Sequence, residues 1–279
     1  MSVNVLTQSR YGPMLVNQHD RYVGEAFVHC GEYGEAEVSL LRALVRPGDH
    51  VVMAGANIGA LVVPVAQVVG EQGRVLAFEP QLHPYHLLCA NVAMNDLFHV
   101  ECFRYAVGDE RGVVQVPRWD PRQPVNSGGT SIGEGNDSVP ILSIDSMGLQ
   151  ALDVLQADVE GSELAVLAGA AQTIQRDHPL LYLEADRLEQ RGALLTWLID
   201  AGYEVWEHTP PLWNPENYSG QQSGRLPHEQ AVRWPNVVSI NWLCVHPDKP
   251  RDWPEDFDDA LRSLWPRREI TVPIPGSAA

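Results

Sequence analysis

Residues 51–59, Val51-Val52-Met53-Ala54-Gly55-Ala56-Asn57-Ile58-Gly59, run an apolar strand into a tight glycine turn and on toward a helix. They are answered by Arg74-Val75-Leu76-Ala77-Phe78-Glu79-Pro80, a second apolar strand ending in an acid 24 residues after Gly55. Strand, glycine turn, helix and acid-tipped strand make a nucleoside-binding βαβ unit. The glycine lets backbone approach a ligand, and the acid accepts from the two ribose hydroxyls.

The same alternation extends on both sides. Glu35 to Val45 reads as a helix, because Val38, Leu41 and Val45 recur at helical spacing and Pro47-Gly48 ends it. The spacing then predicts strand 51–54, helix 59–69, strand 75–78, helix 83–95 and strand 100–105. Residues 113–147 break the rhythm, with one short strand at 113–116 and a mobile polar loop at Asn126-Ser127-Gly128-Gly129-Thr130-Ser131. Strand 154–158, helix 164–174, strand 180–184, helix 188–201 and strand 203–206 follow, and an apolar strand at 237–245 closes the core. The pattern is α/β: a doubly wound, mostly parallel, Rossmann-like sheet of about seven strands. Residues 1–34 read as an N-terminal arm, 35–246 as the main domain, 207–235 as a lid-like, substrate-side loop, and 247–279 as a tail with a short helix near 256–264.

Composition bounds the partners. The 279 residues carry a formal net charge of −17 and no lysine- or arginine-rich run, so a phosphate backbone is repelled and no nucleic-acid partner is expected. The longest apolar stretch, 60–66, falls far short of the ~18 residues that span a bilayer, so no membrane role is expected. The start has no basic segment followed by an apolar one. Cys30, Cys89, Cys102 and Cys244 are scattered without a C-x-x-C pair, which points to reduced thiols and a cytoplasmic protein rather than a disulfide frame or a metal site. A homo-oligomer is left open.

The turn decides between cofactors. A dinucleotide fingerprint needs G-x-G-x-x-G to bring backbone amides onto a pyrophosphate. Here Gly55 and Gly59 stand four apart with no middle glycine. A cofactor without phosphates fits better, and S-adenosylmethionine is the common one. Glu79 would then hold the ribose. The plain alternative is a tight packing turn beside a solvated strand end.

At these residues the chain resembles the FkbM-type methyltransferases, a branch of the class I S-adenosylmethionine-dependent fold. Matching segments in order are Pro47-Gly48-Asp49, the G-A-N-x-G turn Gly55-Ala56-Asn57-Ile58-Gly59, Phe78-Glu79-Pro80, Asn91 and Asn95, Ala106-Val107-Gly108, the D-V-E-G-x-E signature Asp158-Val159-Glu160-Gly161-Ser162-Glu163, and Asn236-Val237-Val238-Ser239-Ile240-Asn241. The resemblance covers roughly residues 30–246. It implies that Gly55, Ala56, Asn57, Gly59 and Glu79 hold the cofactor, that Ala106 and Val107 line the adenine, and that Asp158 stands beside the methyl group. Two departures are visible. The family's acid two residues before the turn is Met53 here, for which Glu37 or Glu35 on the preceding helix could substitute. Gln156 replaces a frequent lysine.

A hydroxyl attacks a sulfonium methyl only when its proton is accepted. Asp158 ends the fourth strand of the main run, Glu160 lies two residues on and Glu184 ends the fifth, so these carboxylates converge on one rim. Asp158 and Glu160 are the expected proton acceptors, and His208 in the long loop is the runner-up. The carboxylates could instead hold Mg²⁺, or Asp158 and Glu160 could cap the next helix, the role expected of Glu163. His208, Trp213, Asn214, Asn217, Tyr218, His228 and Trp234 lie where the resemblance implies a cover over the acceptor, a small hydroxylated molecule such as a sugar or secondary metabolite, although each residue taken singly reads rather as an anchor of an ordinary packed loop. His83 and His86 are expected at the adenine edge or in solvent. O-methylation is the expected reaction. The rivals are a dinucleotide oxidoreductase, a cofactor-binding protein without turnover, and N-methylation of a peptide or amine.

Overall fold

The structure, a computed structural model, describes residues 2–133, 135–222, 237–250 and 268–269. The chain opens with an antiparallel hairpin, β1 (Asn4–Ser9) and β2 (Gly12–Asn17), followed by α1 (Val23–Cys30) and α2 (Glu35–Leu44). Then come β3 (His50–Ala54), α3 (Val62–Val69), β4 (Arg74–Phe78), α4 (Leu82–Met94) and β5 (Val100–Phe103). An insertion holds β6 (Ala106–Val107), β7 (Gly112–Val116) and β8 (Asp137–Leu142), which form their own three-stranded sheet in the order β6-β8-β7. The alternation resumes with β9 (Val154–Ala157), α5 (Glu163–Gly169), α6 (Ala171–Asp177), β10 (Leu180–Glu184), α7 (Arg191–Asp200), β11 (Glu204–His208) and β12 (Asn241–Val245), and ends with the two-residue β13 (Arg268–Glu269).

The main sheet runs β13-β11-β12-β10-β9-β3-β4-β5. The β10–β9, β9–β3, β3–β4 and β4–β5 pairs are parallel, while β12 is antiparallel to both of its neighbours. Seven strands with one reversed, plus the short β13 edge, bear out the doubly wound sheet. This is the class I methyltransferase topology. The chain winds outward from β3 through β4 to β5 and returns on the other side of β3 at β9. The switch point therefore lies between β3 and β9, and ligands bind above such a point.

Strand alternation splits the core into two layers. Val51, Met53, Val75, Ala77 and Tyr182 face Leu40, Leu41, Val62, Val63 and Leu88. Val52, Ala54, Phe78, Leu155, Leu183 and Trp242 face Val166, Leu167, Leu194 and Leu198. The first layer also takes in Met14, Val16, Val23 and Phe27. Residues 1–34, expected as a weakly patterned arm, thus bury a hairpin and a helix in the core. Asn91 fixes them there: it is fully buried, its Oδ1 accepts from Leu15 N (2.6 Å), and its Nδ2 donates to Leu15 O (3.1 Å) and Ile58 O (2.8 Å).

Other differences have local causes. The helix expected from 59 begins at Val62, because the turn occupies 57–61. The strand expected to reach 105 stops at Phe103, and Ala106–Val107 pairs with β8 instead. β8 had no expected counterpart, and its alternation is interrupted by Pro140. The helix expected over 164–174 breaks into α5 and α6 at Gly169, where a Cβ would strike the Gly108 carbonyl. The helix expected from 188 begins at Arg191. The closing strand is shorter than expected, with Val238 only in an isolated bridge to Pro211. The helix expected at 256–264 lies outside the described residues. Among the described residues no helix is long and apolar enough to cross a membrane.

Candidate active site

Gly55 ends β3 with φ +83°, and its N–H and that of Ala56 both donate to Phe78 O (3.0 and 2.8 Å). A Cβ on Gly55 would strike the Asp158 carbonyl, so only glycine lets β3, β4 and β9 close together here. The turn then passes through Asn57 in the left-handed region (φ +47°) and Gly59 (φ +89°). This bend aims the Asn57 N–H at Glu79 Oε2 (2.9 Å), while Gln81 N–H donates to Glu79 Oε1 (2.8 Å). Glu79 is 3% exposed, and burial pushes its carboxyl up to about 7 against the pull of these two amides. Each oxygen keeps a lone pair for a further donor.

Beside Glu79 the crevice is lined by Gly55, Asn57, Phe78, Tyr105, Ala106 and Val107. Phe78 stacks on Phe103 with ring centroids 5.1 Å apart. A flat apolar slot next to a fixed carboxylate suits a nucleoside. The expected ribose and adenine residues Glu79, Ala106 and Val107 therefore share one crevice. Gly59 shapes the turn without lining it, and Ala56 faces the neighbouring cavity.

The segment 126–131, expected as a mobile loop, is instead a tethered strap. Asp20 Oδ2 accepts from both the N–H (3.2 Å) and the hydroxyl of Ser127, and Gln81 Nε2 donates to Ser127 O (2.7 Å). Asp20 Oδ1 meanwhile takes the N–H groups of Tyr22, Val23 and Gly24 at the start of α1. Sequence reasoning missed Asp20. Its position three residues ahead of a helix start was the available signal.

The adjoining cavity is acidic. Glu37, Met53, Gln156, Asp158, Glu160 and Glu184 share its wall. Carboxylate oxygens of Asp158, Glu160 and Glu184 lie within 4.8 Å of one another. Arg187 Nη2 donates to Glu160 Oε2 (2.5 Å), a pairing that no motif announced. Burial, and then the charges of Glu37 and Glu160, hold the Asp158 carboxyl well above the usual range. Burial and the Asp158 charge raise Glu184 likewise. Burial, with a contribution from the Glu184 charge, pushes Glu37 up to about 8. Of the two acids weighed against Met53, Glu37 faces this cavity. Glu35 is turned to Tyr11 Oη (2.7 Å) and Ser39 Oγ (2.9 Å). Asp158 and Glu160 do not cap the following helix; Glu163 accepts from Val159 N (3.0 Å) and Gly161 N (3.2 Å) and holds that loop.

His208 is placed otherwise than expected. It lies in β11 opposite Asn241, is 3% exposed, and pairs through Nδ1 with Tyr182 Oη (2.7 Å). Burial lowers its pKa to about 4. It lines neither the crevice nor the acidic cavity, because its strand runs on past the point where the loop was expected to start. Asn214 Nδ2 donates to Glu32 Oε1 (2.7 Å) and Tyr218 N to Glu32 Oε2 (2.8 Å), while Trp213 packs near Ala26 and Cys30. These loop residues anchor on the N-terminal segment rather than over the site. His228 and Trp234 lie outside the described residues. His83 and His86 line a separate groove with Trp119, away from the adenine slot.

Comparison with known proteins identifies the family. The family model for the FkbM methyltransferase domain matches residues 54–205, just over half of the chain. No curated protein matches. Among solved structures, the FkbM methyltransferase of Methylobacillus flagellatus is 17% identical, with 75% of this chain and 50% of that one covered and a TM-score of 0.46. The chain therefore spans half the length of that protein. A putative transferase of Pyrococcus horikoshii is 12% identical, with 88% and 71% covered and a TM-score of 0.49. TYW2 of M. jannaschii, solved with AdoMet, is 12% identical, with 88% and 86% covered and a TM-score of 0.44. The chain belongs to the FkbM family of S-adenosylmethionine-dependent methyltransferases.

Proposed function

We propose that this protein O-methylates a hydroxyl of a small acceptor, a sugar or a secondary metabolite, with S-adenosylmethionine spanning the crevice and the acidic cavity. The observation that carries the reading is the Glu79 carboxylate, fixed by the Asn57 and Gln81 amides beside the slot of Ala106 and Val107. Glu79 accepts the ribose hydroxyls, the turn Gly55-Ala56-Asn57 with Gly59 lets backbone lie under the nucleoside, and Glu37 takes the α-ammonium in place of the acid missing at Met53. When bound, the cofactor supplies an electrophilic methyl: its bond to sulfur breaks as a bond to the acceptor oxygen forms. Asp158 receives the hydroxyl proton, and Glu160, held by Arg187, positions the acceptor. Four unpaired cysteines support a cytoplasmic location.

Mass spectrometry of the ligand that co-purifies tests the cofactor: S-adenosylmethionine or S-adenosylhomocysteine is expected, and a pyrophosphate-bearing nucleotide would overturn the assignment. Asp158→Asn tests the chemistry. A kcat loss of about 100-fold or more with S-adenosylhomocysteine affinity retained is expected of a general base. A small loss would favour transfer to nitrogen, which needs less help from a base.

A further inference from the structure

We infer that the acceptor carries a protonated amine, seated in the acidic cavity beside the hydroxyl to be methylated; this rests on the methyl-transfer reading above. Glu37, Asp158, Glu160 and Glu184 share one wall, and among the described residues its lining holds no lysine, arginine or histidine. Arg187 reaches Glu160 from outside that lining and neutralises it. Among the described residues Glu37, Asp158 and Glu184 form no ion pair, and the charge of Arg187 reaches Glu184 only from beyond hydrogen-bond distance.

A second observation is independent of these acids. Gln156, in mid-strand between Met53 and Tyr182, lines the same cavity, is 2% exposed, and its Oε1 has no hydrogen-bond partner. Glu184 Oε2 is likewise without one. Buried acceptors left unmatched are costly, and every unmatched atom here asks for a donor.

The charges point the same way. Bound S-adenosylmethionine brings a sulfonium and an ammonium against one carboxylate, a net charge of one. Against it stand the carboxylates of Glu37, Asp158, Glu160 and Glu184 and the one guanidinium of Arg187, which leaves two negative charges in excess. One proton held between Asp158 and Glu184, whose carboxylate oxygens lie within 4.8 Å of each other, removes one negative charge. An ammonium on the acceptor removes the other, whereas a neutral polyol leaves it buried and uncompensated. A divalent cation would meet the guanidinium of Arg187 on the same Glu160 carboxylate and be repelled. The chemical class is therefore an amino alcohol, such as an amino sugar, with Tyr22 and Tyr33 on the cavity wall to face its ring.

Isothermal titration of the full chain loaded with S-adenosylhomocysteine tests this, with glucosamine, N-acetylglucosamine and glucose as probes, in EDTA and below the amine pKa. Glucosamine is expected to bind at least about tenfold more tightly than the other two. Glu184→Gln and Gln156→Leu are each expected to remove that preference while still binding S-adenosylhomocysteine. Equal affinities for the three probes, or no binding of glucosamine, would overturn the inference. So would saturable binding of Mg²⁺ alone that Glu184→Gln abolishes, which would make the cavity a metal site. Failure of the wild-type chain to bind S-adenosylhomocysteine would instead sink the methyltransferase reading itself.

Discussion

The two ends of the main sheet treat acids in opposite ways. At the amino end, Asp153 pairs with Lys249 Nζ (3.0 Å) and accepts from His50 N (2.9 Å). Asp177 there holds Arg176 (2.6 Å) and Leu152 N (2.7 Å). At the carboxyl end, Glu79 has only amide partners, and Glu37, Asp158 and Glu184 form no ion pair among the described residues. The amino end is finished by the protein itself. At the carboxyl end burial leaves the acids with raised pKa values, the mark of a candidate binding site.

The contrast breaks most completely at Gly55. Gly55→Ala places a Cβ on the Asp158 carbonyl at φ +83°, adding about 1–3 kcal/mol of backbone strain before any clash is relieved. Calorimetry should show cofactor affinity reduced by about 100-fold or more, and thermal melting should show a destabilised fold. Glu79→Ala comes next. It removes the proposed acceptor of both ribose hydroxyls and should cost roughly 1.5–3 kcal/mol, or about 10–100-fold in S-adenosylhomocysteine affinity. Unchanged affinity would move the ribose elsewhere.

Glu37→Gln sharpens the comparison through pH. The folded carboxyl titrates near 8, above its ordinary value, so the folded state binds more protons than the unfolded one across the interval between. Its stabilising contribution is therefore present at low pH and lost as pH rises from about 4.5 to 8. The empty wild type should lose melting temperature over that range more steeply than the variant. At pH 8 the variant should melt several degrees higher. Each tenfold difference in proton affinity between the two states is worth about 1.4 kcal/mol, and each kcal/mol moves the melting temperature by roughly 2–4 °C. Bound S-adenosylmethionine should narrow the gap. A variant that follows the wild-type pH curve would remove Glu37 from the charged wall.

Smaller effects belong to residues away from both cavities. His208→Ala takes a partner from Tyr182 Oη and should cost about 1–3 kcal/mol of stability, with kcat within about threefold; a collapse of kcat would restore the histidine as the base. Lys249→Ala at the amino end should cost less than about 1 kcal/mol and leave steady-state rates unchanged.

The residues that could be read in advance are those whose role is local. The strand at 51–54, the glycine turn and Glu79 follow from alternation, φ sign and a strand-tip acid, all fixed within a few residues. Glu37 was legible only as one of two candidates, because helical spacing does not say which face meets a cavity until the neighbours are packed. Asp158 and Glu184 were placed on one rim by parallel strand order. Their approach to within 4.8 Å, the clamp of Arg187 on Glu160 and the orphaned Gln156 depend on side-chain packing between strands. The Asp20–Ser127 tether joins residues 107 positions apart, and the burial of residues 1–34 depends on Asn91 reaching back 76 positions. His208 was misplaced for the same reason: a strand's length is set by the partner it pairs with, here β12, and not by its own composition. The sequence alone therefore determined the nucleoside turn and the winding of the sheet, because those are written in local period and backbone sterics. The tertiary structure decided which buried acids stand without an ion pair among the described residues, because that depends on which distant segments arrive beside them.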